Sequence, residues 1–253
     1  MSRCEAGGLP ICGSAADATD RTWMERYSRQ IILPGVGGTG QRLLSRATVG
    51  IYGCGQIGTP LALYLAGAGV GRLVLIESER ADALCAMVLE LNPLLQVTVM
   101  DPPDALDGAV EAMMDWQLAV IAGGGVALRN RLNRASLCTG RPLLAAWESS
   151  VAVQIAAAQA GVESAAPCLR CAEQAALPYL ARLRAVDPLL LRLACGVAGS
   201  LLAMEVVQRL LQRPSRLWSH TYLFHPEQSL YQTVAVAKIS SCPVCMNDGG
   251  CFS

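Results

Sequence analysis

The chain has 253 residues, of which 53% are hydrophobic and 16% are charged. This composition is typical of a folded protein with a full apolar core and excludes a wholly disordered chain. Twenty basic residues balance twenty acidic ones, so no net field favours binding to nucleic acid or to an anionic membrane.

Residues 1–21 are rich in Gly, Ala, Ser and Asp and show no hydrophobic period, which predicts a flexible N-terminal tail. They include no apolar segment typical of a secretory signal, and no apolar run in the chain is expected to reach the length of a membrane span. Eleven cysteines without such a signal favour a reducing, cytoplasmic location over a disulfide framework.

Residues 22–150 alternate between helical and strand patterns. Two short helices are predicted first, and five buried strands follow, on ATVGIYG, GRLVLIE, QVTVM, QLAVIAG and PLLAAW. Helices between these strands predict an α/β fold with a doubly wound, mostly parallel, Rossmann-like sheet. Residues 151–253 change to a mixed or antiparallel pattern with one long helix, on LACGVAGSLLAMEVVQRLLQ. We therefore expect a single domain over residues 22–253.

A glycine-rich loop, GCGQIG, lies between the first of these strands and the helix after it. Gly53 permits a tight turn, Gly55 lets a phosphate approach the backbone, and Gly58 lets the helix pack closely on the strand. The helix N-terminus attracts anions, and Glu77 at the end of the second strand can hold a ribose hydroxyl. The motif predicts a nucleotide site, and the alternative is a turn with a purely architectural role.

Two C-x-x-C pairs, CLRC and CPVC, lie in turn-like stretches far apart in the chain. Their spacing is typical of a tetrahedral zinc site with four thiolate ligands, which is structural because the protein fills every position. Buried free thiols or a redox pair are the weaker alternatives. The predicted ligands are Cys168, Cys171, Cys242 and Cys245.

Seven segments occur in a fixed order along the chain: RYSRQIILPGVGGTGQRLL, AGAGVGRLVLIE, LNP, VALRNRLN, PCLRC, GVAGSLLAMEVVQRLL and CPVC. From Tyr27 to Cys245 this order resembles the ThiF, MoeB and HesA family, bacterial relatives of ubiquitin-activating enzymes. The resemblance implies an enzyme that adenylates the C-terminal glycine of a ubiquitin-like sulfur carrier with ATP and magnesium. It also implies a homodimer that contains a structural zinc ion. It also implies that Arg29 reaches across the dimer to the partner's ATP phosphates.

The chain departs from this family pattern at three places. The fourth strand ends in three glycines, and Gly124 replaces the aspartate that binds magnesium in the family. After the second strand, the polar segment whose arginine and lysine neutralise the ATP phosphates is missing, and Glu77 and Glu79 remain as replacements for two aspartates. Residues 172–194 contain no cysteine for thioester chemistry. We therefore expect that backbone amides alone would face the charge of a triphosphate.

These departures predict a protein of sulfur-carrier, cofactor or modified-peptide biosynthesis that has lost its own ATP-dependent adenylation. It would act as a partner- or substrate-binding subunit, in a homodimer or in a heterodimer with an active family member, with Arg29 serving the partner's site. One alternative is an enzyme that binds NAD or S-adenosylmethionine in the glycine loop, with Glu79, Gln56 and Arg129 as nearby polar groups. Another is an adenylyltransferase still active on a ubiquitin-like carrier or a peptide. The predicted nucleotide-binding residues are Gly53, Gly55, Gln56, Gly58, Glu77, Glu79 and Gly124.

Overall fold

The computed structural model describes residues 11–12, 20–158 and 166–246. Nine strands within these residues form a single sheet. In chain order they are β1 (Ile11–Cys12), β2 (Thr48–Tyr52), β3 (Arg72–Ile76), β4 (Gln96–Met100), β5 (Leu118–Ala122), β6 (Leu143–Glu148), β7 (Val153–Ala158), β8 (His220–His225) and β9 (Leu230–Ala235). In space the order is β1-β4-β3-β2-β5-β6-β7-β8-β9.

Five neighbouring strands, from β4 through β3, β2 and β5 to β6, run parallel. Strands β7, β8 and β9 continue the sheet in antiparallel pairing, which confirms the predicted parallel sheet with an antiparallel C-terminal part. Strand β1 pairs antiparallel with β4, so Ile11 and Cys12 differ from the flexible tail predicted over residues 1–21. Asp20 and Arg21, at the end of the predicted tail, are the first residues of a helix. The rest of that predicted tail, residues 1–10 and 13–19, lies outside the described residues.

Eight α-helices of the described residues accompany the sheet. They are α1 (Asp20–Ile31), α2 (Gly37–Ser45), α3 (Gly58–Ala68), α4 (Ala81–Leu91), α5 (Leu106–Met114), α6 (Val126–Thr139), α7 (Leu169–Leu180) and α8 (Pro188–Leu210). Helices α3, α4 and α8 pack in one core with Ile51, and α5, α6 and α7 pack in a second core with Tyr52. Neighbouring residues of a strand point to opposite faces, so strands covered on both faces are apolar along their whole length.

The long helix α8 begins at Pro188, five residues before the predicted helical segment. Asp187 caps it by accepting a hydrogen bond from the Leu189 amide at 2.8 Å, and proline suits the first helical position. Helix α8 has 23 residues, and an 18-residue window within it has a mean hydropathy of 1.8. By length and composition alone it could cross a membrane, which corrects the expectation that no run reaches that length. In this fold it packs on β6, β7 and α3 and contributes Ala198 and Leu202 to the core.

Gly50 on β2 provides a test of the packing between the sheet and its second core. A β-carbon at Gly50 would lie 2.3 Å from the ring of Trp116, which is buried. Gly50→Ala should therefore lower the free energy of unfolding by about 1–3 kcal/mol, because the indole has to move inside a packed core. Urea unfolding followed by circular dichroism measures this change.

The matched control is Gly67→Ala, in the exposed part of α3, where no atom of the described residues outside the adjacent helix backbone lies within 4 Å of the added carbon. Because alanine stabilises a helix relative to glycine, this variant should gain about 0.5–1 kcal/mol. Equal stability of Gly50→Ala and the parent would show that Trp116 shifts at no cost.

Candidate functional site

The carboxyl ends of the parallel strands open onto a cavity of about 630 Å³. Strand β2 lies between β3 and β5, and the helices that follow β2 and β5 pack on opposite faces, so the cavity lies where the winding of the sheet reverses. Open α/β sheets bind ligands in this crevice. The loops after β2, β3 and β5 and the end of β6 line it, together with the first two turns of α8.

The glycine loop after β2 reaches the cavity with its backbone. Gly53 has a φ of +102°, and a β-carbon there would lie 2.6 Å from the carbonyl oxygen of Ala122. At Gly58, the first residue of α3, a β-carbon would lie 1.8 Å from the carbonyl oxygen of Gly53. At Gly55 no backbone atom of the described residues comes within 4 Å of such a carbon. The loop thus needs glycine at two positions to hold α3 in place, and its middle is open to a ligand.

Two of the polar residues predicted around this loop, Gln56 and Glu77, line the cavity. Oε2 of Glu77 accepts a hydrogen bond of 2.5 Å from the backbone N–H of Cys54, so the loop itself uses this oxygen. Glu79 is exposed and is not among the described residues that line the cavity. The structure therefore brings Glu77 to the glycine loop and leaves Glu79 apart.

The three glycines after β5 carry no side chain into the cavity, which Gly123 and Gly124 line with backbone atoms. Gly124 has a φ of +84°, so an aspartate at this position would be strained in the present backbone. Its carbonyl accepts a hydrogen bond of 3.0 Å from Arg129. Arg129 is buried, pairs with Glu173 at 3.0 Å and stacks on Trp147, so it does not serve the cavity as the sequence suggested.

Three charged residues that the sequence analysis missed line the cavity. Arg80, just before α4, brings its guanidinium to 3.4 Å from the position of a β-carbon on Gly55. Arg192 comes from the second turn of α8, and Glu148 ends β6. The expectation that backbone amides alone would face a triphosphate is therefore wrong, because two arginines share the cavity with the glycine loop. The Asp-Pro cap of α8 was the sequence signal for the position of Arg192.

Two buried cysteines adjoin the cavity and are held in the thiol form. Sγ of Cys195 lies 3.6 Å from Oε2 of Glu148, and burial together with this carboxylate raises the pKa of Cys195 to about 12. Burial, aided by Glu77, also raises the pKa of Cys54 to about 12. A nucleophilic cysteine needs its thiolate near neutral pH. Neither residue meets this condition.

The four cysteines of the two C-x-x-C pairs come together away from this cavity. Their sulfurs all lie within 4.8 Å of one another, with 3.7 Å from Cys168 to Cys242 and 3.7 Å from Cys171 to Cys245. A tetrahedral zinc ion with bonds of about 2.3 Å places its sulfur ligands about 3.8 Å apart. The cluster joins the start of α7 to the turn after β9. Its geometry fits a metal held by four thiolates.

A buried amide beside the cluster supports the same assignment. Nδ2 of Asn133 has no regular hydrogen-bond partner among the described residues. Burial raises the pKa of Cys168 to about 11, and the nearby amide of Asn133 opposes this shift. Cys168 also precedes the first residue of α7, where the helix dipole favours a negative charge. An otherwise unsatisfied donor at this point suits a metal-bound thiolate, which accepts hydrogen bonds.

Arg29 lies in the last turn of α1 and is exposed. It makes no ion pair or side-chain hydrogen bond with the described residues and does not line the cavity of its own chain. The role that the resemblance implies for Arg29 requires a second chain, and it stays a prediction.

The strand, glycine loop and helix at the reversal point of the sheet define a Rossmann-like class of α/β protein. Residues 27–83 match the ThiF family. The sulfur carrier protein adenylyltransferase of Thermus thermophilus is 30% identical over 88% of this chain and 90% of its own length. The ThiS adenylyltransferase of Escherichia coli is 29% identical over 89% of this chain and 96% of its own length. The chain therefore belongs to the ThiF family, as the resemblance implied.

A longer relative and a set of solved structures complete the comparison. The chain is 30% identical to the adenylyltransferase and sulfurtransferase MOCS3 of Dictyostelium discoideum and spans 57% of its length. The crystal structure of E. coli MccB with ATP matches with a TM-score of 0.69 and 18% identity, over 87% of this chain and 74% of that chain. MccB with MccA gives the same TM-score of 0.69. These structures establish the likeness in fold.

The environment of Cys195 gives a prediction about thiol reactivity. In Glu148→Gln the negative charge beside Cys195 is lost, so the pKa of the thiol should fall and the thiolate fraction at pH 8 should rise. We expect faster alkylation of Cys195 by iodoacetamide, measured by mass spectrometry of the peptide that contains it. Glu79→Gln, an exposed change away from the cavity, is the control. An unchanged rate in Glu148→Gln would show that burial alone holds the proton.

Proposed function

We propose that the chain binds ATP over the glycine loop and activates the terminal carboxylate of a ubiquitin-like carrier or a peptide by adenylation. The observation that carries this proposal is the cavity of about 630 Å³ in which the open backbone at Gly55, the N-terminus of α3 and two guanidinium groups converge. Ligand sites of small molecules have volumes of about 300–1,000 Å³. The names of relatives as adenylyltransferases and the MccB structures with ATP and MccA support the same activity.

The proposed step joins a carboxylate to the α-phosphate of ATP. A carboxylate oxygen attacks the α-phosphorus, the bond from that phosphorus to the β-phosphate oxygen breaks, and pyrophosphate leaves with the electron pair. Because the attacking carboxylate is already ionised, the chain needs no general base. Glu77 and Glu148 are the carboxylates of the cavity, and they are the available oxygen ligands for the magnesium that accompanies ATP.

A second candidate is the partner-subunit function, in which the chain has lost adenylation. Gly124, which brings no carboxylate to the end of β5, favours it. Arg29 favours it too: it is exposed and makes no ion pair or side-chain hydrogen bond with the described residues, so it is free to serve the site of a dimer partner. Sulfur-carrier or peptide-modifying biosynthesis is the setting in both cases, as for the named relatives.

We also propose that the four-cysteine cluster binds a structural zinc ion. The sulfur distances near 3.7 Å and the unsatisfied amide of Asn133 support this assignment. All four ligand positions belong to the protein, so such an ion takes no part in the reaction. It would tie the C-terminal turn to α7.

Calorimetric titration with ATP, with and without magnesium, tests the proposed function. We expect micromolar binding that requires magnesium, and exchange of labelled pyrophosphate into ATP when a peptide ending in Gly-Gly is present. Gly55→Val should abolish binding without loss of stability, because the added side chain fills the space that a phosphate needs. Gly67→Ala is the control that should bind like the parent. Absence of binding in the parent would exclude adenylation and favour the partner-subunit function.

Metal analysis tests the zinc proposal. The purified chain should contain one zinc ion, and Cys242→Ser should lose it and lower the unfolding midpoint by at least about 5 °C, as expected for the loss of a few kcal/mol in a chain of this size. Cys54→Ala, which changes a buried cysteine outside the cluster, should keep its zinc. A zinc-free parent protein of equal stability would contradict the proposal.

A further inference from the structure

Arg80 and Arg192 differ from the other arginines around the site in having no partner. Neither side chain forms an ion pair or a hydrogen bond within the described residues, whereas Arg129 is bound to Glu173. A guanidinium carries five N–H donors in a planar fork that matches phosphate oxygens. Two such groups therefore face the cavity with their donors available for a ligand.

The position of Arg192 follows from the packing of α8 on the glycine loop. A β-carbon at Gly199 would lie 2.2 Å from the carbonyl oxygen of Ile57, so the helix and the loop are in backbone contact there. Pro188, Leu191, Arg192 and Cys195 share one face of the helix, by the spacing of three and four residues, and all of them line the cavity. Arg192 is thus carried by a rigid element that is fixed against the loop.

Arg80 reaches the same region from the other side of the loop. Only residues 77–80 connect β3 to α4, so Arg80 stays close to the strand end and brings its guanidinium to 3.4 Å from the β-carbon position of Gly55. Both arginines also border a second groove, of about 570 Å³, which shares Gly55 and Gln56 with the main cavity. The two guanidinium groups therefore stand where the cavity opens outward past the glycine loop.

We propose that Arg80 and Arg192 form a clamp that binds the β- and γ-phosphates of the nucleotide at this opening. This inference rests on the proposed function, since it assigns residues to the phosphate tail of the ATP placed there. The clamp supplies, from the start of α4 and from α8, the positive charge that the resemblance assigns to an arginine and a lysine on a segment missing in this chain.

Titrations with ATP, AMP and inorganic pyrophosphate, each with magnesium, test the clamp. The parent should bind ATP more tightly than AMP. Arg192→Ala and Arg80→Ala should each weaken ATP and pyrophosphate binding about tenfold or more, because each removes a charge-assisted contact, and should leave AMP binding within about twofold. Arg192→Lys should recover part of the loss. Both arginines are exposed, so these variants leave the core intact.

The control is Arg182→Ala, an exposed arginine after α7 that does not line either cavity in the part of the chain described. It should bind all three ligands like the parent. If the parent binds ATP and the two alanine variants bind it equally well, the clamp is wrong and the proposed function stands. If the parent binds AMP and ATP equally, the clamp is likewise wrong. If the parent binds none of the three ligands, both proposals fail.

Discussion

The close approach of backbones around the glycine loop is the constraint on which the rest of the structure depends. A β-carbon would meet a carbonyl oxygen at 2.6 Å on Gly53, at 1.8 Å on Gly58 and at 2.2 Å on Gly199. These three contacts join β2, β5, α3 and α8 around one turn. They direct the N-terminus of α3 to the cavity and fix how far α8 extends over it. The polar residues of the site take their positions from this arrangement of glycines.

The sequence predicted the sheet and the cysteine cluster because local patterns determine both. Continuous apolar runs indicate strands covered on two faces, and paired C-x-x-C motifs indicate a shared site. The cavity was predicted less completely. Arg129 follows the three glycines closely in sequence and was therefore expected near the cavity. Its partner Glu173 lies on another helix, and no local sequence pattern shows this pairing. Arg192 was missed because the apolar pattern indicated a helix that begins after it.

The chemistry available in the cavity is that of phosphates and carboxylates rather than of thiols. Cys195 gives its hydrogen bond to Glu148, and burial keeps both Cys195 and Cys54 protonated at neutral pH. The cysteines of the first C-x-x-C pair lie in the four-cysteine cluster, where their sulfurs have partners. An acyl adenylate formed over the glycine loop would therefore meet no thiolate among these residues. Transfer of the acyl group would require a nucleophile other than these cysteines.

The balance of charge in the cavity distinguishes the two candidate functions. Arg80, Arg192 and the N-terminus of α3 provide positive charge in the cavity, and Glu77 and Glu148 provide negative charge. A bound triphosphate and its metal ion would therefore both find partners of opposite charge. A subunit that only supplies Arg29 to another chain would not need guanidinium groups beside its own glycine loop. Arginine side chains beside a glycine loop suit the recognition of phosphate, and this favours nucleotide binding in the chain itself. With Arg80 and Arg192 present in the same chain, the site also depends less on an arginine from a second subunit.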